Sequence, residues 1–441
     1  MRQARYESLV RRLYSLEKRG MRLSLDGTRS LLRKLGNPEK GFSSILIGGT
    51  NGKGSTCSFV SSVLSSSGYA AGLYTSPHLV DFRERMRVSG RCIPREDALE
   101  LLGTVVPMGE RGGHSFFETL TAAAFRYFRD RKVPLVVAEV GLGGRLDSTN
   151  VLSPLVSVIT GISIEHSQIL GSTLSAIAGE KAGIMRRGKP VVTAARGVAL
   201  ETIENRAERI RARVLRVGRD LRVTEKFVSR AGSVFSARLA ASRAGTGTRS
   251  SADYFVALRG RFQIRNAGCA ILTASCLREL AVQVDDSALE RGLAEAQWPG
   301  RLEEWGWNPS FLFDVAHNPE AAANLSEALS TLYAGKSVIA VVGMVQDKDH
   351  AGFLKKLLPC VRHVVFTQAD CDRALPAAEL KDRTPPGATG VRTWSIAPGV
   401  PDALDAALSM AGNDELVCVT GSFYTVGEAM KCLGIGVRES I

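Results

Sequence analysis

The sequence has few of the residues from which metal clusters and disulfide frameworks are built. Its 441 residues include eight cysteines and six histidines. No two cysteines stand in a C-x-x-C spacing, and no two histidines stand in an H-x₃-H spacing. These absences argue against a zinc ribbon or a disulfide-stapled secreted domain. They favour a reducing, cytoplasmic environment.

Long apolar runs are missing as well. No run approaches the roughly 20 residues that a membrane-spanning helix needs, and the N-terminal stretch lacks the continuous apolar core of a secretory signal. Leu9, Val10, Leu13 and Leu16 recur at helical spacing instead. This spacing predicts an amphipathic helix that belongs to the fold. We therefore expect no membrane partner.

Positive charge is what the sequence has in excess. Its 57 Lys and Arg outnumber its 44 Asp and Glu, which gives a formal net charge of +13. A solvated basic surface, a field that attracts polyanionic small molecules and a field that attracts nucleic acid all fit this balance. Charge alone does not choose among them.

Two series of apolar runs alternate with helical stretches, and such runs suit strands buried on both faces of a parallel sheet. The first series comprises residues 43–49, 69–75, 134–141, 155–161 and 190–194, and the second comprises residues 310–319, 336–343, 362–368 and 415–423. A chain of this length also exceeds one ordinary core. We predict two α/β domains, residues 1–297 with a mainly parallel sheet and a smaller Rossmann-like unit at residues 298–441.

The region between the two series has a different pattern. Residues 230–260 show weak alternation, which predicts short antiparallel strands with an exposed turn near Gly245–Ser251. Residues 266–280 predict a helix that begins at Asn266. The Pro-Gly pair at residues 299–300 marks the predicted domain boundary.

The stretch IGGTNGKGSTCSFVSSVL, residues 47–64, looks like a phosphate-binding loop with one residue too many. In the common pattern a hydroxyl residue directly follows the lysine, whereas Gly54 here separates Lys53 from Ser55. A buried strand precedes the loop and a helix follows it, so backbone N–H groups and the helix dipole converge on an anion. A glycine-rich turn with a surface lysine is the alternative. The predicted nucleotide-binding residues of the loop are Asn51, Gly52, Lys53, Gly54, Ser55 and Thr56.

The spelling GTNGKGS resembles the ATP loop of the Mur-type ligase superfamily, and closely that of its folate branch, the dihydrofolate synthases and folylpolyglutamate synthases. Further motifs similar to those of this branch follow in family order: SPHL, SFFETLTAAAF, EVGLGGRLDSTN, GEKAGIMR, WPGRLE, FDVAHNP and TGSFYTVG. The resemblance covers the chain from about residue 20 to residue 430. It implies a two-domain Mur-ligase-like architecture with a P-loop ATPase domain and a glutamate ligase domain.

The resemblance also implies the chemistry, which is ATP- and Mg²⁺-dependent addition of L-glutamate to a folate-type acceptor. Transfer of the γ-phosphoryl group turns the acceptor carboxylate into an acyl phosphate, which the amine of glutamate then attacks. Such transfer depends mostly on positioning and on neutralising charge. The expected catalytic residues are Lys53, Lys181 and His166. Two Mg²⁺ ions are implied, with Ser55, Ser76, Glu139 and His166 as ligands, and Lys181 is implied to carry a CO₂-derived carboxylate.

Two of these residues also have an interpretation from their own surroundings. Glu139 ends an apolar strand, and ligands of open α/β sheets collect at that edge, where a carboxylate suits Mg²⁺. A salt-bridging glutamate at the sheet edge is the alternative. His166 follows the next strand and its turn. A lone histidine is more often a structural residue, and only the resemblance favours a metal ligand. Glu165 stands where the family commonly has aspartate.

The resemblance extends the nucleotide site into the second domain. Asn266 is expected to read the adenine edge. Arg301 and Asp314 match family positions that contact phosphate and ribose, and His317 lies in the same loop as Asp314. If ATP joins the two domains in this way, domain closure assembles the site and excludes water from the acyl phosphate.

The acceptor site is drawn from two segments. Phe116 and Phe117 are candidates to stack on a pterin ring, with Glu118 at its amino-pyrimidine edge, and a helix-core role for both phenylalanines fits equally well. The second segment matches the family's substrate-contacting residues at Leu146, Asp147 and Ser148. Residues 22–30 occupy the place of a substrate-lining loop, but their sequence differs from that of the family. The preferred acceptor therefore stays open.

Several functions therefore stay open. Under the leading hypothesis, a folate-type glutamate ligase, the acceptor is dihydropteroate, a reduced folate such as tetrahydrofolate, or both. The rivals are another Mur-type amino-acid ligase, a basic P-loop ATPase that acts on nucleic acid, and a nucleotide-binding scaffold without catalysis. The folate-type motifs SPHL and GLGGRLDSTN argue against another Mur-type amino-acid ligase. We expect a cytoplasmic monomer that binds only small-molecule substrates and no nucleic acid.

Overall fold

A computed structural model describes residues 2–20, 23–240, 251–306, 308–385 and 393–441. The turn expected near Gly245–Ser251 lies outside these ranges except for Ser251, and so does Arg22 of the expected substrate-lining loop. Across the part of the chain that is described, every helix is too short or too polar to cross a membrane. All eight cysteines are free.

The elements up to residue 295 form one α/β unit with an appended antiparallel sheet. In chain order they are α1 (Arg2–Ser15), α2 (Asp26–Lys34), β1 (Ser43–Gly48), α3 (Lys53–Ser66), β2 (Ala71–Tyr74), β3 (Met86–Val88), β4 (Arg91–Cys92), α4 (Arg95–Arg111), α5 (Phe116–Asp130), β5 (Leu135–Glu139), β6 (Val156–Ile159), α6 (Ser167–Leu170), α7 (Leu174–Ala182), β7 (Val191–Thr193), α8 (Gly197–Arg209), β8 (Val214–Arg216), β9 (Leu221–Ser229), β10 (Gly232–Leu239), β11 (Ser251–Val256), α9 (Phe262–Glu279) and α10 (Asp286–Glu295).

The elements from residue 303 onward form a second α/β unit. They are β12 (Glu303–Trp305), β13 (Ser310–Phe313), α11 (Pro319–Leu332), β14 (Val338–Val342), α12 (His350–Leu357), β15 (His363–Phe366), α13 (Ala377–Asp382), β16 (Thr393–Ile396), α14 (Val400–Met410), β17 (Leu416–Thr420) and α15 (Phe423–Cys432). Both series of predicted strands are present, so the expected α/β class is confirmed.

The first sheet has eight strands in the order β4-β3-β2-β5-β1-β6-β7-β8. Strands β2 and β5 to β8 run parallel with β1 in the centre, whereas β3 and β4 are antiparallel additions at one edge. The central strands are almost wholly buried because apolar clusters cover both faces. The loop after β1 therefore lies between the carboxyl ends of β5 and β6, which is where such sheets bind ligands.

Register fixes the neighbours of that loop. Ile47 of β1 pairs with Glu139 of β5, and Gly48 pairs with Ile159 of β6. Because all three strands end together, the carboxylate of Glu139 comes out beside the glycine-rich loop. The order of strands thus brings the loop and the predicted metal ligand to one edge.

The second sheet has six strands in the order β12-β13-β17-β14-β15-β16, and only β12 is antiparallel to its neighbour. Its carboxyl edge carries the loops after β13, β14 and β17. The amphipathic first helix and the antiparallel strands between the units also appear as expected, with β9 added to the pair predicted within residues 230–260.

One boundary was wrong in a way that concerns the site. The helix expected to begin at Asn266 begins at Phe262, so Asn266 lies in its second turn. The first turn, FQIR, alternates apolar and polar residues, and a sustained run of apolar and small residues begins only at Ala267. Asn266 therefore presents its side chain from within a helix and not from a helix start.

Candidate active site

The loop between β1 and α3 needs its glycines for space as well as for backbone conformation. Gly52 has a φ of +85°, and a Cβ there would lie 2.3 Å from Asn266 Oδ1. Gly49 has a φ of +142°, and its Cβ would lie 1.8 Å from Thr160 Oγ1. Both conformations favour glycine. The loop is thus packed against the end of β6 and against α9.

The contacts of Gly54 account for the extra residue between Lys53 and Ser55. It sits in the first turn of α3, and a Cβ on it would lie 2.5 Å from Trp298 Nε1. The extra glycine lets the indole of Trp298, which immediately precedes the second unit, pack against the start of the helix. The insertion therefore belongs to a phosphate-binding loop that is in contact with the connection between the two units.

The three polar side chains after Gly52 have different surroundings. Lys53 Nζ donates to the carbonyl of Thr50 at 3.0 Å. Ser55 Oγ is buried and accepts from Gln263 Nε2 at 3.2 Å. Thr56 Oγ1 is buried with no hydrogen-bond partner among the described residues. The ammonium of Lys53 thus meets only a backbone carbonyl, while the hydroxyl of Ser55 lies at the N-terminus of α3.

Glu139 and Ser76 form the predicted metal side of the site. Glu139 Oε2 accepts from the backbone N–H of Ser76 at 3.1 Å, at a cis Ser76-Pro77 peptide. Burial raises the pKa of Glu139, and the positive charge of Lys53 opposes this shift. Ser76 Oγ is buried without a hydrogen-bond partner among the described residues.

These oxygens suit a hard divalent cation. A buried carboxylate beside an orphaned hydroxyl is the donor chemistry that Mg²⁺ prefers. Within the described ranges no group of three or more His, Cys, Asp or Glu is arranged as a metal site. This observation does not contradict the predicted ligands, because two of them are serines. The residues present fit the expected ion.

His166 lies further out, at the boundary between the two units. It precedes α6, with Nδ1 3.5 Å from Asp347 Oδ2 and Nε2 3.4 Å from Lys348 Nζ. Nδ1 faces a carboxylate and Nε2 faces an ammonium, both from the second unit. The structure thus places His166 among charges of the second unit.

Lys181 is a deeply buried basic residue of the site. Its side chain emerges from α7, only 4% of the residue is exposed, and Nζ donates to the carbonyl of Gly49 at 2.7 Å. Burial, together with the positive charge of Lys53, lowers the pKa of Lys181 to about 7. A large fraction of this amine is therefore neutral near neutral pH, which is the state required of a nucleophile.

The two units meet directly at the loop. Asn51 Nδ2 donates to Glu320 Oε2 at 2.7 Å, and Asn318 Nδ2 donates to Asn51 Oδ1 at 3.0 Å. Asn318 also caps α11 by accepting from the N–H of Ala321. The start of α11 is thereby aligned with the phosphate-binding loop.

Glu165 is a second point of contact, and sequence reasoning noted it only as a departure from the family. Its Oε1 is 3.1 Å from His317 Nε2 and accepts from Lys348 Nζ at 2.8 Å. Burial opposes ionisation of this carboxyl, but the hydrogen bond of His317 and the charge of Lys348 outweigh burial and hold the pKa of Glu165 well below its usual range. Glutamate has the length to reach across the boundary.

Asp314 directly follows β13, and Arg301 lies in the turn that precedes β12. Asp314 accepts from the backbone N–H groups of Leu302 at 3.0 Å and Ala316 at 2.9 Å. Burial raises the pKa of Asp314, and the charge of Arg301 opposes the shift. The guanidinium of Arg301 stands 5.5 Å from the ring centre of Phe423. The predicted phosphate and ribose contacts are therefore neighbours at the edge of the second sheet.

Asn266 contacts the loop that it was expected to assist. Its Nδ2 donates to Gln263 Oε1 at 2.8 Å, and its Oδ1 faces Gly52. Its expected contact with an adenine edge stays a prediction.

The predicted acceptor residues on α5 include buried side chains and one that is partly exposed. Phe116 is buried and stacks on Tyr14 at 5.5 Å, as the helix-core alternative anticipated. Phe117 is partly buried, 6.3 Å from the ring of Tyr74. Glu118 closes a capping box with Ser115 at the start of α5. Its Oε2 accepts from Ser115, so the carboxylate has a structural partner in this state.

The second acceptor segment is likewise held by local hydrogen bonds. Asp147 accepts from the backbone N–H groups of Thr149 and Leu142, and burial raises its pKa. Ser148 Oγ accepts from Thr28 Oγ1 at 2.9 Å, which ties this segment to α2. Leu146 is only partly buried. The segment is held by these hydrogen bonds, and its role with a substrate stays a prediction.

A cavity of about 590 Å³ lies between the loop at residues 77–85 and the second unit. Arg85 lines it, is 7% exposed and donates from Nε to His78 Nδ1 at 2.9 Å. His78 Nε2 is 3.0 Å from Tyr14 Oη. The remaining nitrogens of Arg85 have no carboxylate partner among the described residues, which suits an anionic group in the cavity. Sequence reasoning missed Arg85, although it lies within the quoted motif after SPHL.

Comparisons with known proteins agree with this geometry. The Mur ligase middle domain model matches residues 47–274, and the Mur ligase glutamate ligase domain model matches residues 300–423. The dihydrofolate synthase/folylpolyglutamate synthase of Bacillus subtilis is 36% identical, with 94% of this chain and 96% of the relative covered. These matches confirm the resemblance drawn from the motifs.

Solved structures show the same architecture. Mycobacterium tuberculosis folylpolyglutamate synthase complexed with ADP superposes with a TM-score of 0.87, at 31% identity over 98% of this chain and 99% of that one. A bifunctional folylpolyglutamate synthase/dihydrofolate synthase with Mn, AMPPNP and L-glutamate bound has a TM-score of 0.82, at 28% identity over 97% of this chain and 98% of that one. The two-domain Mur-ligase-like fold is confirmed. The chain belongs to the Mur ligase family, in its dihydrofolate synthase/folylpolyglutamate synthase branch.

Proposed function

We propose that the protein is an ATP- and Mg²⁺-dependent ligase that adds L-glutamate to a folate-type acceptor through an acyl phosphate. The observation that carries this proposal is the position of two lysines at one sheet edge. Lys181 is buried and Lys53 is partly buried, and the one hydrogen-bond acceptor of each ammonium among the described residues is a backbone carbonyl. Buried charges without a charged partner are costly. A nucleoside triphosphate supplies negative charge beside Lys53.

Each group at this edge has one task in the proposed reaction. The amides at the start of α3 and Lys53 bind the β- and γ-phosphates. Ser55, Ser76, Glu139 and His166 hold the metal ions, which when bound neutralise phosphate charge. Asn266 faces the base, and Arg301 and Asp314 orient phosphate and ribose from the second unit. His317, held by Glu165, keeps that unit over the loop.

We propose further that Lys181 carries an N6-carboxylate in the active protein. The neutral amine attacks CO₂, an N–C bond forms, and the nitrogen releases one proton to solvent. The product is an anion where an ammonium stood. Its support is geometric as well as electrostatic, because Lys181 Nζ lies at the carbonyl of Gly49, inside the phosphate-binding loop.

The acceptor is proposed to approach from the cavity beside Arg85. Phe117 is partly accessible, and Asp147 lies near it across Gly141, whose added Cβ would meet both side chains. Phe117 and Asp147 thus flank one path toward the loop. Dihydropteroate and a reduced folate both have a planar pterin and a carboxylate and suit this path. Leu146, Ser148, Phe116 and Glu118 support its walls.

The net charge of +13 is proposed to serve anionic small molecules, namely ATP, glutamate and folate tails. A nucleic-acid ATPase and a non-catalytic scaffold are the rivals. We propose a cytoplasmic monomer that binds no nucleic acid and no membrane, with the domain boundary between residues 297 and 298.

Release of ADP tests the proposal. The protein is supplied with ATP, Mg²⁺ and L-glutamate, and dihydropteroate, tetrahydrofolate and tetrahydrofolate diglutamate are compared as acceptors. Lasting turnover that needs both glutamate and an acceptor supports the ligase, and the three acceptors separate its two folate activities. Turnover that needs DNA or RNA and ignores glutamate would contradict it.

A further inference from the structure

The segment Arg438–Ile441 follows α15 of the second unit and lies on the edge of the first sheet. The N–H of Cys92 in β4 donates to the carbonyl of Glu439 at 2.8 Å, and the N–H of Ile441 donates to the carbonyl of Gly90 at 3.0 Å. Arg91 and Ser440 form an antiparallel bridge. The segment therefore extends the sheet of the first unit by one short strand, although it belongs in sequence to the second.

The start of the same segment is fixed to the second unit. The guanidinium of Arg438 hydrogen-bonds Glu303 and stands 4.5 Å from the ring centre of Trp305. Both partners lie on β12 at the edge of the second sheet. Four consecutive residues thus join β12 to β4. We call the segment Arg438–Ile441 the strap.

A glycine makes room for the strap. Gly90 has a φ of +76°, and a Cβ on it would lie 2.2 Å from the carbonyl oxygen of Ile441. Any side chain at this position collides with the backbone of the strap. Gly68, at the end of α3, has a similar φ of +87° but no atom within 4 Å of an added Cβ. Alanine substitutions at Gly90 and Gly68 therefore distinguish the effect of a collision from that of backbone strain alone.

Glu439 connects the strap to the loop that lines the cavity. Its carboxylate accepts from Arg83 Nη2 at 2.9 Å and Nη1 at 3.2 Å. The side chain of Arg83 is 3% exposed and that of Glu439 is 64% exposed. The pair contributes little to global stability, because an exposed partner is screened by water. It does fix the direction of a buried guanidinium, since two parallel hydrogen bonds leave Arg83 little freedom.

Arg83 belongs to a tight, internally bonded loop. Asp81 and Glu84 form a capping box, and Glu84 also accepts from the backbone N–H groups of Leu79 and Val80. These hydrogen bonds tie residues 79–84 to one another. Arg85, which lines the cavity, follows Arg83 by two residues in the same loop.

We propose that the strap is a cross-domain tether and that Glu439 is a positioning residue, which acts through Arg83 on the loop at residues 76–85 and so on Arg85. The kinetic part rests on the proposed function, because it takes the cavity beside Arg85 as the place from which the acceptor approaches. The tether itself does not depend on that assignment.

The test compares Glu439→Gln and Gly90→Ala with two matched controls. Gly68→Ala carries the same φ penalty without a collision. Glu379→Gln removes a surface carboxylate of similar exposure, 3.9 Å from Arg383, that lies away from the loop. Hydrogen exchange of the ligand-free protein is measured at the amides of residues 79–84. We expect faster exchange in both strap variants and no change in either control.

Kinetics provide the second readout. We expect the KM for the acceptor or for glutamate to rise about fivefold in both strap variants, because small misplacements of a positioning loop weaken substrate binding. The KM for ATP and the kcat at saturation should stay within about twofold of the wild type. Glu439→Asp, which keeps the charge, should recover part of the loss.

The outcomes separate the two hypotheses. Unchanged exchange at residues 79–84 in both strap variants overturns the tether, whatever the enzyme assay gives. Faster exchange with an unchanged KM for both substrates overturns the positioning role of Glu439. A protein that exchanges as expected but shows no glutamate-dependent turnover overturns the proposed function and leaves the tether standing.

Discussion

Two clusters of charge at the active site are organised in opposite ways. At the nucleotide loop, Lys53, Lys181 and Glu139 each have a backbone group as their hydrogen-bond partner. At the domain boundary, Glu165 lies between the cationic or polar heads of His317 and Lys348. The first cluster holds charges that a ligand can neutralise, and the second neutralises its own.

The difference separates binding from assembly. A buried charge without a counter-charge costs free energy, and that free energy is recovered when a ligand of opposite sign binds. A buried pair that is already complete gains nothing from a ligand, but losing one partner is costly. Substitutions at the loop should therefore affect ligands more than folding. Substitutions at the boundary should do the reverse.

The largest effect is expected for Lys53→Ala. Turnover should fall by roughly 1,000-fold, because a cation that neutralises a transferring phosphoryl group is lost. The free energy of unfolding of the nucleotide-free protein should stay the same or rise. ADP release and urea denaturation measure the two quantities, with exposed Lys34→Ala as the control. Wild-type activity in Lys53→Ala would remove the loop from the mechanism.

Glu139→Gln is expected to act on the metal. The amide keeps an oxygen for the N–H of Ser76 but loses the negative charge, so Mn²⁺ affinity and turnover should fall by about 10- to 100-fold. Calorimetric titration of Mn²⁺ with a non-hydrolysable ATP analogue measures the affinity. Exposed Glu100→Gln should leave it unchanged. An unaltered Mn²⁺ affinity in Glu139→Gln would exclude Glu139 as a ligand.

Lys181→Met probes the cost of the buried ammonium. The folded pKa is lowered to about 7, so at higher pH the unfolded chain binds more protons than the folded one, and stability rises with pH. In CO₂-free buffer the wild type should gain about 2 kcal/mol between about pH 7.5 and 9. The variant should lack this gain. Equal slopes in denaturant titrations of both proteins would show that Lys181 is charged in the fold.

Glu165→Gln tests the cluster of charges at the domain boundary. Lys348 and His317 would keep a hydrogen-bond acceptor but lose the carboxylate charge, and the free energy of unfolding should fall by about 1–2 kcal/mol. The affinity for ATP should change less than in Lys53→Ala. Denaturation and ATP titration measured on the same preparations decide this. A larger loss of ATP affinity than of stability would reverse the assignment of the two clusters.

Particular residues show what the sequence could predict. The loop after β1 was recognisable because its glycines stand between an apolar run and a helical pattern, and Glu139 because it ends an apolar run. The start of α9 was placed too late, at Asn266, since the alternating apolar and polar residues of its first turn do not show a helical period. Arg85 was missed because a cation beside a capping box has no signature that distinguishes it from a surface residue.

Partners that are far apart in the chain had no signal of this kind. Gly54 appeared as an unexplained insertion until Trp298 was found against it. Glu165 appeared as a mild departure from the family until Lys348, 183 residues away, was found on its carboxylate. Such pairs depend on how two independently folded units meet, which no local pattern records.

The sequence by itself determined the two α/β series, the phosphate-binding turn and the family, because each follows from apolar periodicity, glycine spacing and motifs read within short windows. Only the tertiary structure decided which buried charges are neutralised within the protein and which are left for a ligand. The physical reason is that the cost of a charge depends on burial and on neighbours within a few ångströms, and these neighbours come from strands, loops and a strap that are distant in the chain.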